Sequence, residues 1–136
     1  MSKYLRNQNT NQSNKNQFIQ IKIIYKMAVV NKSEIKIKVG LDENRVPEQL
    51  FWSADDGNVE NMESKAVLLS VWNSEEKETF RVNLWTKDMP VNEMKQFFHQ
   101  TLVSMADTYE VATGDDKMTA TMRDFCDYFV ENMMKS

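Results

Sequence analysis

His99 is the single histidine of this 136-residue chain, and histidine is the residue type that ordinarily serves as a base near neutrality. Glu93 and Lys95 precede it, but at offsets that preform no nucleophile–base–orienter set, so an enzyme built on His99 is the weaker of two readings. The plainer one is a histidine at the edge of an apolar helical face. Cys126, the single cysteine, excludes an internal disulfide. With one histidine beside it, the ordinary Cys/His zinc sites cannot be assembled from this chain. Its neighbours Asp124 and Asp127 give a thiolate no support, and Phe125 and Phe129 make it read as a small buried hydrophobe. The carboxylate pairs Asp42/Glu43, Asp55/Asp56 and Asp115/Asp116 lack the alternating order and terminal Glu of an EF-hand, and read as turn and helix-cap residues. Gly40, Gly57 and Gly114 lie too far apart for a phosphate-binding loop. No catalytic, cofactor-binding or metal-binding residue is assigned, and no cofactor is expected.

The elements that must position these residues are clearer. Ile35, Ile37 and Val39 alternate with Glu34, Lys36 and Lys38, which is the period of a half-exposed strand. A second short strand is expected around 49–54, closed by the turn Asp55-Asp56-Gly57-Asn58. Runs over 64–73 and 78–86, joined by Asn73-Ser74-Glu75-Glu76-Lys77, read as a hairpin. The period then becomes helical, with Asp88 as a cap, Pro90 in the first turn, and Val91, Met94, Phe98, Leu102, Met105 and Tyr109 at three- and four-residue steps. Gly114 ends that helix. Asp115 or Asp116 caps the next, whose stripe is Met118, Met122, Phe125, Phe129 and Met133. The expected fold is α+β, an antiparallel sheet of about four strands with two C-terminal amphipathic helices packed on one face. Met94, Phe98, Leu102, Phe125 and Phe129 are expected to be core, with alanine at each costing roughly 2 to 5 kcal/mol.

Charge divides the chain. Residues 1–32 carry six cations and no acid, and from Ser2 to Gln20 they are dominated by Asn and Gln, so they are expected to be a disordered basic leader. Met27 is the expected natural start, which would make residues 1–26 translated leader sequence; a basic tether is the competing reading. The remaining 33–136, expected to be a single α+β domain, hold 17 − 6 = 11 cations against all 20 acids, a net of −9, which argues against nucleic acid as a partner. Neither a signal peptide nor a spanning segment is legible, and the expected compartment is the cytoplasm.

Three tryptophans concentrated in strands suggest an exposed partner surface as much as a core. Trp85 shares its parity with Arg81 and Asn83, opposite Phe80, Val82 and Leu84. Phe80, Val82 and Leu84 should then meet the helices, leaving Trp85, Arg81 and Asn83 as a candidate partner surface on the helix-free face. A protein partner or a homodimer would fit it. Of ten methionines, eight lie from Met62 onward, and they read as a plastic core rather than a binding groove.

Several strings resemble the gliding motility protein GldC family of Bacteroidota. They are Ser33 to Asn44, Leu84-Trp85-Thr86-Lys87-Asp88-Met89-Pro90-Val91, Met94 to Leu102, Ala112-Thr113-Gly114-Asp115 and Met122 to Phe129. The resemblance runs from about Ser33 to Phe129. It implies a soluble accessory protein linked to the gliding apparatus and its associated secretion system, with a protein partner from that machinery and no catalytic residues to transfer. The expected function is therefore that of a non-enzymatic interaction protein, with a small-ligand-binding module or an enzyme using His99 as the alternative.

Overall fold

The computed structural model describes residues 28–135. Most of the expected leader lies outside them, and residues 28–32 are exposed and without regular structure. Five strands precede two helices: β1 (Ile35–Leu41), β2 (Pro47–Ala54), β3 (Val59–Ser64), β4 (Ala66–Asn73), β5 (Glu78–Trp85), α1 (Val91–Thr113) and α2 (Asp116–Asn132). The fold is α+β with antiparallel pairing throughout. The strands form a three-stranded sheet in the order β1-β2-β3 and a separate β4-β5 hairpin.

In the first sheet, period-two alternation gathers the apolar residues on one face. Ile37 pairs with Trp52 and Val39 with Leu50, while Trp52 and Leu50 face Met62 and Ser64 across the other edge. Leu50 occupies the middle of the central strand and is completely buried. The strand missing from the sequence-based expectation is β3. Its sequence Val-Glu-Asn-Met-Glu-Ser has no sustained alternation, and the register shifts where Asn61 takes a left-handed φ of 48° and donates its N–H to Ser53 Oγ at 2.9 Å. The expected run over 64–73 is thus divided: Ser64 ends β3, 66–73 is β4, and Lys65 lies between two strands that pair with different neighbours.

The β1–β2 turn is built on a carboxylate. Asp42 Oδ1 accepts the N–H groups of Asn44 (2.9 Å) and Val46 (3.0 Å), which lets Arg45 hold a φ of 62°. Lys87 Nζ stands 3.3 Å from Asp42 Oδ2 and 2.8 Å from Glu48, and its N–H donates to the Pro47 carbonyl at 3.1 Å, so the chain leaving β5 is tied to the start of β2. The Val46 amide foremost, with Asn44 and Lys87 behind it, holds the Asp42 carboxyl below the ordinary carboxylate range. A depressed folded pKa stabilises the fold above the ordinary value and ceases to do so as pH falls through the folded one. Asp42→Asn should therefore flatten the acid limb of stability. Urea midpoints followed from neutrality into the acid range will show a smaller fall for the variant than for the wild type.

The helix ends obey local chemistry. Gly114 takes the left-handed conformation (φ 67°) and donates to the Glu110 carbonyl, and Asp115 Oδ1 accepts the Met118 N–H at 2.9 Å as the cap of α2. Asp88 does not cap α1. Its carboxylate is engaged 2.6 Å from Lys65 Nζ, and Pro90, whose ψ of 144° is extended, stands at the N-cap itself with no side-chain bond.

The helix pair closes on small residues. Ala106 (0% exposed), Thr119 (0%) and Cys126 (4%) are buried along its seam, and the Thr119 hydroxyl donates back to the Asp115 carbonyl at 2.8 Å. Arg123 clamps the pair from outside, 2.6 Å from Glu110 and 3.0 Å from Asp107. The expected aromatic core is corrected here: Phe98 and Phe125 remain 43% and 50% exposed, while Met94, Leu102 and Phe129 are half-buried. Side chains without bulk bring the helix axes together and leave the larger residues at the margins of the seam.

Candidate functional site

The β4–β5 register places Ala66, Leu68 and Ser70 opposite Trp85, Asn83 and Arg81, and Val67, Leu69 and Val71 opposite Leu84, Val82 and Phe80. The sequence parity of Trp85 is therefore reproduced. Its setting differs from the expectation of a helix-free face: Trp85, Asn83 and Leu68 share a groove of about 380 Å³ with Met94, Phe97 and Phe98 of α1. α1 is not confined to one face of the hairpin, since Leu84 also lines this groove and Val67 and Leu69 border a second cleft with Phe97 and Thr101; the helix is reached through the short connection Thr86 to Pro90. There the Met89 N–H donates to the Thr86 carbonyl at 3.0 Å. On the other side, Leu69, Val71, Phe80 and Val82 are left 41 to 53% exposed.

The groove is apolar. Trp85 is 55% exposed at its mouth, Asn83 offers the polar side chain along the wall, and Phe97 meets Phe98 edge-on at 6.3 Å. Arg81 stands two residues further out on the same face, towards the hairpin loop, and does not line the groove. Sequence reasoning missed the α1 wall because Met94 and Phe98, at helical spacing, look like core whether they meet a sheet or border an open cleft. Pro90, which fixes where α1 begins, was the available signal. Near the groove the Lys65–Asp88 pair is held charged: Asp88, the nearest anion, raises the Lys65 pKa, and Lys65 lowers that of Asp88.

The residues with catalytic potential are elsewhere. The His99 ring stacks on Phe129 with centroids 6.2 Å apart and planes 12° from parallel, which joins α1 to α2. Cys126 is buried in the same helix pair. Asp42, Asp55 and Asp115 each accept a backbone N–H, in a turn, at the start of β1 and at the α2 cap respectively. Among the described residues no three His, Cys, Asp or Glu side chains converge as a metal site, and no helix is long and apolar enough to cross a membrane.

Comparison with protein families matches residues 47–135 to the gliding motility-associated protein GldC-like family, about two thirds of the chain. The chain belongs to the GldC-like family. The matched segment of this GldC-like chain begins at β2 and runs through α2, so it includes Trp85 and every groove residue named above. It leaves out β1, on whose sequence the resemblance also drew. Comparison with curated proteins finds no match, and comparison with solved structures finds none.

Proposed function

We propose that this GldC-like chain is a non-enzymatic interaction protein of the gliding apparatus, and that its partner places an apolar side chain in the groove beside Trp85. The observation that carries the reading is a tryptophan more than half exposed at the mouth of an apolar groove between a hairpin and a helix. The stacking of His99 on Phe129 supports it further, because a ring committed to a helix–helix contact is poorly placed to serve as a base. A groove of about 380 Å³ also falls within the roughly 300 to 1,000 Å³ of small-ligand sites, which keeps a ligand-binding module as the second reading. The compartment in this proposal is the cytoplasm; recovery of the native protein in periplasmic or outer-membrane fractions would contradict it.

Trp85→Ala should leave the melting temperature nearly unchanged and abolish capture of the partner by the tagged chain in lysate of a gliding cell. Undiminished capture, or unfolding of the variant, would overturn the assignment. Native mass spectrometry of the purified chain separates the second reading, since a retained small molecule lost in Trp85→Ala would favour a ligand over a protein.

A further inference from the structure

We propose that the partner segment seated in the Trp85 groove carries a lysine or arginine next to its apolar anchor, and that Glu63 and Glu93 receive this cation at an adjoining cleft. The inference rests on the groove reading and adds the chemistry of the partner. Ala66, Met89 and Phe97, which line the groove, also line a cleft of about 570 Å³ between the β3–β4 junction and α1. Its other walls are Ser64 and Lys65 on one side and Glu93, Gln96 and Gln100 on the other. The last three, at steps of three and four residues, stand along one side of α1. Charge separates the two clefts. The groove is lined by apolar side chains and Asn83, whereas Lys65 Nζ in the adjoining cleft stands 2.6 Å from Asp88 and is acted on from further away by Glu63 and Glu93. Three carboxylates about one ammonium leave a surplus of two negative charges beside the groove.

Because the clefts share three wall residues, a peptide anchored in the first sets its next residues over the second. An apolar continuation would draw water away from Glu63 and Glu93 and give them no opposite charge, and an acidic one would add repulsion to that cost. A cation gains from both carboxylates without disturbing the Lys65–Asp88 pair. Two further features of the cleft suit a peptide rather than a free amine. Gln96 and Gln100 each offer an amide that can both donate to and accept from a peptide backbone, and Ser64 has a buried hydroxyl without a hydrogen-bond partner. The wider surface acts in the same direction, since the segment from Ser33 onward is net −9 and attracts a cationic partner as it approaches.

The purified full chain is titrated at low salt with acetyl-Leu-Lys-Leu-amide and with acetyl-Leu-Glu-Leu-amide, and binding is followed by NMR at the Trp85 indole N–H, assigned by its loss in Trp85→Phe. The lysine peptide should bind about tenfold more tightly than the glutamate peptide. Glu63→Gln with Glu93→Gln, two exposed positions whose change spares the fold, should reduce that preference to less than about twofold. Equal affinities with a shifted Trp85 resonance would overturn the cationic partner and leave the groove reading standing, and so would a preference that survives the double change overturn the part given to Glu63 and Glu93. A Trp85 resonance moved by neither peptide would contradict the groove reading itself, and the inference with it.

Discussion

Leu50→Ala should be the most damaging single truncation in the chain, lowering unfolding free energy by about 2 to 5 kcal/mol in a urea titration. Leu50 is completely buried in the central strand, paired with Val39 on one side and Ser64 on the other. Its removal opens a cavity among backbone that is fixed by pairing on both edges and cannot collapse inward. Phe98→Ala and Phe125→Ala, which the helical periodicity marks as equally costly, should each lose clearly less, because about half of each ring already faces solvent. If the two phenylalanine variants prove as unstable as Leu50→Ala, the apolar weight of the fold lies between the helices and the strands.

The second large effect is expected from adding atoms. Ala106 is completely buried where α1 meets α2, with Thr119 and Cys126 also buried along the seam. Ala106→Leu should destabilise the chain by about 1 to 3 kcal/mol, since three extra carbons must push the helices apart or force strained rotamers. The same change should disturb the His99–Phe129 stacking, which sits on that helix pair. The histidine ring protons will report it by NMR as a loss of ring-current shift. A stable Ala106→Leu variant with an unaltered histidine resonance would mean that the helices are held by their outer contacts, chiefly Arg123 with Glu110 and Asp107.

Much of the architecture was legible because it rests on local rules. Alternation in Ile35, Ile37 and Val39 specified β1, Asn73 and Lys77 specified the β4–β5 loop, and Gly114 with Asp115 specified the break between helices; each is a choice made within a few residues. β3 escaped because a strand held mainly by backbone pairing to β2 needs no apolar alternation of its own, and Glu60, Asn61 and Glu63 conceal it. The cap of α1 was misplaced for a related reason: Asp88 has the chemistry of a cap, but Lys65, distant in sequence, claims it at 2.6 Å. The parity of Trp85 could be read from β5 alone. That α1 would border Trp85 could not, since that depends on how Thr86 to Pro90 turns, and periodicity carries no information about the path of a connection.

Photo-crosslinking from position 85 in gliding cells tests the interaction role most directly. With the photoreactive residue replacing Trp85, the account predicts a covalent product between this chain and a different protein of the gliding apparatus, absent when the same group replaces exposed Glu131 on α2. Products of equal yield from both positions, or none from position 85, would contradict it.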